Sequence, residues 1–316
     1  MTLSDAKDDI QQVTFGKILF AADFSGPSLT ALPYAVMIAR RFDSTLFLVH
    51  IIPSESYRAI PLEERDQELA EMRRQAEERI NATMAAANPK PIAYQVIVVH
   101  GDVLSLLSSL AEEHNVDLIV TGAHGRRGIE KLLAGSMSEE IFKESARPVL
   151  LVGPKVTVAP ESELHIERIL CIPDFASESG SALRYAYALA AAYSAKLYFL
   201  HVIDNAWDEP LCTHMSPEAF VRMRLLEKGW PDKQDGIDPH LLLEFGSPES
   251  RALETVQKHH IQLTIMNVSS KGHPDLSAHL PGPLAYNIVS RASSPVLIVP
   301  DTLEPTGKNS TPVIAI

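Results

Sequence analysis

The sequence predicts an α/β protein of two tandem domains, each a doubly wound, five-stranded parallel sheet. Short apolar runs alternate along the chain with longer segments of helical periodicity, which is typical of repeated β–α–β units. The chain also repeats itself, because residues 19–25 (LFAADFS) return as residues 170–176 (LCIPDFA), 151 positions later. A chain of 316 residues is long for one such domain and sufficient for two.

Two further matches extend the repeat in the same order. His50 and His201 lie in matching apolar runs and are also 151 residues apart, and residues 148–152 (PVLLV) return as 295–299 (PVLIV). Because the matches are colinear, we interpret them as a duplicated domain. The predicted segments are a first domain at 1–153, a linker at 154–166 and a second domain at 167–316.

In the first half, predicted strands alternate with predicted helices. The strands lie near 17–23, 44–51, 93–99, 117–121 and 148–152. The helices lie near 28–41, 62–87, 103–114 and 136–145. Pro33 falls inside the first helical pattern, so that helix either is kinked there or begins just before it. Asp102 directly precedes the third helix and is predicted to be its N-cap.

The second half has the same order of strands but a longer irregular segment. Its strands are predicted near 168–173, 196–203, 239–244, 262–267 and 295–299. Residues 204–238 are predicted to be an insertion that contains a helix, and residues 300–316, rich in Pro, Thr and Ser, a loosely ordered tail. The last strand of each half follows a proline and is strongly apolar. We therefore expect these two strand edges to meet, since an uncovered apolar edge promotes association.

Composition excludes several classes of partner and setting. A net charge of −12 disfavours nucleic acid, because the phosphate backbone would be repelled. The chain has only two cysteines, and Cys171 lies in an apolar run, so a disulfide framework is not expected and the cytoplasm is the predicted setting. No apolar run approaches the roughly 20 residues of a membrane span. The first ten residues are acidic and polar, so a secretory leader is not expected either.

A glycine-rich loop follows the fourth predicted strand. It reads GAHGRRG at residues 122–128 and is followed by Gly135 and Ser136, where a short helical pattern begins. Glycines let backbone N–H groups approach an anion closely, and a helix N-terminus adds partial positive charge. The loop is therefore predicted to bind phosphate, and we expect valine at position 122 or 135 to abolish that binding without unfolding the protein.

The spacing of Gly122, Gly125, Gly135 and Ser136 resembles the ATP-binding signature of the universal stress protein family, and nearly the whole chain follows that family's order of strands and helices. The resemblance implies domains of the Rossmann-like, adenine-nucleotide-binding type, with ATP at the carboxyl ends of the strands. The ATP-binding residues predicted on this basis are Ala21, Ala22, Asp23, Ile51, Thr121, Gly122, His124, Gly125, Arg126, Arg127, Gly135, Ser136, Met137 and Ser138. The predicted cofactor is ATP, with or without Mg²⁺, and no residue is predicted to be catalytic or to bind metal directly.

Asp23 ends the first strand, where parallel sheets bind ligands, and its carboxylate can accept hydrogen bonds from ribose or adenine. The alternative is that Asp23 only caps the next helix. The resemblance implies that Ile51 contacts adenine through its backbone and that His124 contributes mainly its backbone to phosphate binding.

The second half is predicted not to bind ATP. Aligning the fourth strands places Asn267 opposite Gly122 and Ser270 opposite Gly125, while Pro283 near the third glycine removes an N–H donor. This half also concentrates histidines, together with Cys212. They are His214, His240, His259, His260, His273 and His279. Their spacing matches no familiar zinc pattern, so a metal site is not predicted.

The predicted function is that of a cytoplasmic stress-response protein regulated by ATP in its first domain, acting on an unidentified regulatory protein. The chain lacks the Walker A motif, the dinucleotide fingerprint and the nucleophile elbow, so no catalytic apparatus is evident. Two alternatives stay open: a slow ATPase using Asp23, His124 or a bound metal, and a scaffold that binds no nucleotide. The expected assembly is a monomer with pseudo-twofold domains or a homodimer.

Overall fold

The computed structural model describes residues 13–87, 91–123, 147–157, 163–173, 180–203, 216–227, 237–268 and 281–300. Its strands are β1 (Lys17–Ala21), β2 (Thr45–Pro53), β3 (Tyr94–Gly101), β4 (Leu118–Gly122), β5 (Val149–Val152), β6 (Arg168–Ile172), β7 (Lys196–Ile203), β8 (His240–Phe245), β9 (Leu263–Val268) and β10 (Val296–Pro300). Its helices are α1 (Gly26–Phe42), α2 (Ser54–Tyr57), α3 (Leu62–Ala87), α4 (Val103–Glu113), α5 (Ser181–Tyr193), α6 (Pro217–Glu227), α7 (Pro248–Lys258) and α8 (Pro281–Arg291).

The ten strands of the described residues form one sheet, in the order β3-β2-β1-β4-β5-β10-β9-β6-β7-β8. Each half contributes five parallel strands. Across the sheet, the strand order of the second half is the reverse of that of the first. The two halves join through β5 and β10, which pair antiparallel, with Val296 opposite Leu151. The fold class and the predicted meeting of the two last strands are therefore confirmed.

Helices cover both faces of the sheet. Side chains from α1, α3, α5 and α6 belong to the core cluster on one face, and side chains from α4, α7 and α8 belong to the cluster on the other. Alternate strand residues divide between the faces, as the two-residue period of a strand requires: Ile18 and Phe20 face one cluster and Leu19 the other. The sheet is thus buried on both sides, as parallel sheets are.

The local predictions about helix ends have mixed outcomes. The N-cap role of Asp102 is confirmed, since its Oδ1 accepts a hydrogen bond from the Ser105 amide at 3.0 Å. Helix α1 begins at Gly26 and continues through Pro33, so the alternative in which it begins just before Pro33 is wrong. Ser25 caps this helix and satisfies an amide of its first turn, so the helix starts well ahead of the proline.

Some predicted segments lie partly or wholly outside the described residues. The predicted helix at 136–145 and the tail beyond residue 300 are among them. Within the insertion at 204–238, the structure describes α6, which confirms that this segment contains a helix.

The end of β5 approaches the other half of the molecule at Gly153. A Cβ added to this glycine would lie 1.9 Å from the carbonyl oxygen of Val289 in α8. Only glycine allows the two backbones to come this close. The contact between the halves therefore includes helix packing as well as the β5–β10 pair.

Candidate functional site

The candidate site lies at the carboxyl ends of β1 and β4. β1 pairs with β2 on one side and with β4 on the other, so the strand order reverses between β1 and β4. In open parallel sheets, ligands bind at such a reversal, outside the carboxyl ends of the strands. The structure brings six of the predicted site residues to this edge. They are Ala21, Ala22, Asp23, Ile51, Thr121 and Gly122.

The remaining predicted site residues lie outside the described residues. They are His124, Gly125, Arg126, Arg127, Gly135, Ser136, Met137 and Ser138. The structure therefore describes the strand ends and the start of α1, and the phosphate-loop residues beyond Ala123 stay predictions.

Asp23 is exposed and held by the residue that caps α1. Its Oδ1 accepts hydrogen bonds from the Ser25 amide at 3.0 Å and from the Ser25 hydroxyl at 2.6 Å. The Ser25 hydroxyl oxygen in turn accepts from the Ser28 amide at 3.2 Å, which makes Ser25 the N-cap. The alternative that Asp23 itself is the N-cap is therefore wrong, because Ser25 occupies that position. Asp23 is a carboxylate oriented at a strand end, beside the positive end of a helix.

Gly122 has a packing role that could not be predicted from the amino-acid sequence. A Cβ at this position would lie 2.3 Å from the carbonyl carbon of Pro27 and 2.3 Å from the amide nitrogen of Ser28. The glycine thus lets the first turn of α1 pack directly on the end of β4. Valine at position 122 cannot fit without moving α1, so we expect that substitution to destabilise the fold as well as to change the site.

Three residues that were not predicted surround the turn after β1. His50 Nδ1 lies 2.6 Å from the carbonyl oxygen of Ala22, and its ring centroid lies 4.7 Å from that of Phe24. The Arg79 guanidinium lies over the Phe24 ring, 4.4 Å from its centroid. The repeated histidine in each half was a sequence signal for His50. Arg79 had none, because it is 55 residues away from Phe24 on α3.

The corresponding position in the second half is occupied by a side chain. Asn267 lies opposite Gly122 in the repeat, is 5% exposed, and donates a hydrogen bond to the Ser181 hydroxyl at 3.1 Å. That hydroxyl donates to the carbonyl oxygen of Pro300 at 3.0 Å. In the first half, β4 packs against α1 through a glycine. In the second half, β9 is instead linked to α5 by buried hydrogen bonds between polar groups. Ser270 lies outside the described residues.

Two of the described histidines of the second half pack on an aromatic ring of β7. His240 and His259 pack on the Tyr198 ring, with centroids 5.2 Å and 5.0 Å away. Burial lowers the pKa of His201, the counterpart of His50. Within the described residues, no three His, Cys, Asp or Glu side chains are grouped as metal ligands would be. Cys212, His214, His273 and His279 lie outside the described part of the chain.

None of the helices that the structure describes is both long enough and apolar enough to cross a membrane.

Comparison with known proteins identifies one family. The profile described as the universal stress protein family matches residues 14–153 and again residues 165–300. A universal stress protein of Mycolicibacterium smegmatis is 24% identical over 301 residues, which cover 92% of this chain and 99% of that protein. A universal stress protein of Methanocaldococcus jannaschii is 27% identical over 139 residues, 44% of this chain and 82% of that protein.

A solved structure supports the fold. The crystal structure of a universal stress protein from Archaeoglobus fulgidus DSM 4304 covers 90% of this chain and 96% of its own, with a TM-score of 0.67. The sequence identity is 20%, so this likeness concerns the fold alone.

Proposed function

This chain belongs to the universal stress protein family, and from that premise we propose that its first half binds ATP and that nucleotide occupancy regulates its part in a stress response. The observation that carries the proposal is the position of Asp23. Its exposed carboxylate is oriented by Ser25 at the reversal of strand order. The glycine signature begins at Gly122, which is the last residue of the adjacent strand β4.

Each part of the nucleotide has proposed partners. The ribose hydroxyls donate to Asp23, and the adenine edge contacts the backbone of Ile51 at the end of β2. The triphosphate binds the backbone amides of the loop that follows β4, with Mg²⁺ as a counter-ion on its oxygens. Because the whole chain carries a net charge of −12, local positive groups must attract the anion, and Arg126 and Arg127 are the proposed ones.

We assign one ATP to each chain. In the second half, the Asn267 side chain is already hydrogen-bonded to Ser181, and the glycine spacing of the first loop is lost. Each charge-assisted backbone bond that is missing would cost roughly 1.5–3 kcal/mol, so losing two would weaken affinity at least a hundredfold.

The proposed domain boundaries follow from the same duplication. They are a nucleotide-binding domain at 1–153, a linker at 154–166 and a second domain at 167–316, and the two family matches support this division. The proposed setting is the cytoplasm, which the low cysteine content supports. ATP hydrolysis is not proposed, because the sequence carries no Walker A motif or other recognised catalytic motif.

The test is binding calorimetry on the full chain with ATP and Mg²⁺. The wild-type protein should bind one ATP per chain. Asp23→Asn keeps an oxygen that accepts from Ser25 but loses the charge, and it should weaken ATP binding at least about tenfold. Asp174→Asn, at the matching position of the repeat, is the control and should bind as the wild type does. Absence of binding, two equal sites, or equal losses in both variants would contradict the proposal.

A further inference from the structure

Phe24 adopts a backbone conformation that aromatic residues rarely adopt. Its φ is 60°, in the left-handed region, directly after Asp23. A bulky side chain is sterically strained there, and such a conformation persists only where surrounding contacts stabilise it. We therefore expect other residues to hold Phe24 in this conformation.

Those contacts come from two other elements. The ring of Phe24 packs on His50 of β2 and on the Arg79 guanidinium of α3, at centroid distances of 4.7 Å and 4.4 Å. A guanidinium at this distance from a ring face is attracted by the ring quadrupole. Phe24 thus lies between one side chain from the sheet and one from the covering helix.

The same two side chains also donate hydrogen bonds to the backbone carbonyls of the residues before and after Asp23. His50 Nδ1 donates to the carbonyl of Ala22 at 2.6 Å, since a carbonyl oxygen can only accept. Arg79 Nη2 donates to the carbonyl of Phe24 at 3.5 Å, the long end of the hydrogen-bond range. The backbone of Asp23 is therefore held before and after the residue, while Ser25 holds its carboxylate.

We infer that His50 and Arg79 are positioning residues that set how the Asp23 carboxylate meets the ribose of the nucleotide. This inference rests on the proposed function. A carboxylate that accepts from a ribose 2′-hydroxyl distinguishes ATP from 2′-dATP only if its oxygens are kept in place, because a mobile side chain loses the directional bond. Arg79 should therefore control the preference for ribose over deoxyribose, although it is on a different element from the site.

The experiment compares the affinities of ATP and 2′-dATP for the full chain with Mg²⁺. Arg79→Met keeps an unbranched apolar side chain beside Phe24 but removes the charge and the donors. Arg79→Lys keeps the charge and one donor group. Arg73→Met is the matched control, because Arg73 is an exposed arginine on the same helix and makes no described contact with Phe24. Thermal unfolding of each variant reports whether the fold is retained.

The wild type should prefer ATP over 2′-dATP by about tenfold, the effect of one lost hydrogen bond to a charged group. Arg79→Met should lower that ratio to about the value for Asp23→Asn, Arg79→Lys should give an intermediate ratio, and Arg73→Met should keep the wild-type ratio. A wild type that binds neither nucleotide overturns the proposed function itself. A wild type that prefers ATP, with the ratio unchanged in Arg79→Met or with both affinities lowered equally, overturns the positioning role alone. If Arg79→Met does not fold, the ratio for Arg79→Lys decides, since an unchanged ratio there also overturns the role.

Discussion

Gly122 lies at the contact between the last residue of β4 and the first turn of α1. A Cβ added at Gly122 would be 2.3 Å from backbone atoms of Pro27 and Ser28. The φ of Gly122 is outside the left-handed region. Glycine is needed here for close packing of a helix on a strand, before any ligand is considered. A substitution at position 122 therefore changes the shape of the candidate site and the stability of the fold together.

We expect Gly122→Ala to lower the free energy of unfolding by about 1–3 kcal/mol, because α1 must shift to admit one methyl group. Urea denaturation measures this change. Gly26→Ala is the control, since nothing lies within 4 Å of a Cβ added at Gly26. Equal stability of the two variants would contradict the packing role of Gly122.

His201 makes stability depend on pH. Burial lowers its pKa below the ordinary value, so the unfolded chain binds a proton before the folded one does as the pH falls. The free energy of unfolding is therefore highest, as far as His201 is concerned, at neutral pH. It falls on acidification, beginning near the ordinary histidine pKa of about 6.5 and ending at the lowered pKa of the folded state.

We expect His201→Gln to reduce the loss of unfolding free energy between about pH 7.5 and pH 5.5, because Gln takes up no proton in either state. Denaturant titrations at both pH values provide the measurement. His165→Gln, at an exposed histidine, is the control. The prediction is wrong if both variants follow the same pH profile.

Among the elements, the β5–β10 pair connects the two halves of the molecule. Val296 is completely buried and lies opposite Leu151, and Val149 lies opposite Ile298. Both strands are apolar on both faces, so either edge would attract another strand if it were uncovered. Pairing within one chain removes that hazard.

We expect Val296→Asp to cost at least about 3 kcal/mol, since it buries a carboxylate with no partner. The variant should either open the contact between the halves or aggregate, which size-exclusion chromatography and thermal unfolding would detect. Val103→Asp is the control, because Val103 is 39% exposed and begins α4, where a negative charge suits the helix N-terminus. A soluble, wild-type-like Val296→Asp protein would contradict this role of β10.

At the scale of the whole molecule, the two halves share one sheet and both core clusters. Leu150 and Leu297, from opposite halves, lie in the same cluster, and Gly153 contacts the backbone of α8. Unfolding one half would expose the strand edge and apolar side chains of the other. The halves should therefore unfold together.

We expect a single calorimetric transition for the full chain, with calorimetric and van 't Hoff enthalpies that agree. Gly153→Ala should lower the transition temperature or split the transition, because its Cβ would lie 1.9 Å from the Val289 carbonyl oxygen. Two resolved transitions in the wild type would show that the halves unfold independently.

The sequence by itself determined the elements, the duplication and the strands that join the halves. Residues 62–87 and 196–203 were predicted as a helix and a strand and have those bounds in the structure. These features could be predicted because apolar periodicity and colinear repeats are local patterns that hydrophobic burial imposes on any chain of this fold.

Only the tertiary structure decided how the described part of the candidate site is held together. Ser25 is the N-cap of α1, and it orients the Asp23 carboxylate. Gly122 packs against the first turn of α1, and the Arg79 guanidinium lies over the Phe24 ring. The N-cap bonds join residues within six positions of each other, whereas the last two contacts join residues far apart in the chain. No local pattern records such contacts, because they arise only when the folded backbone brings separate elements within a few ångströms of each other.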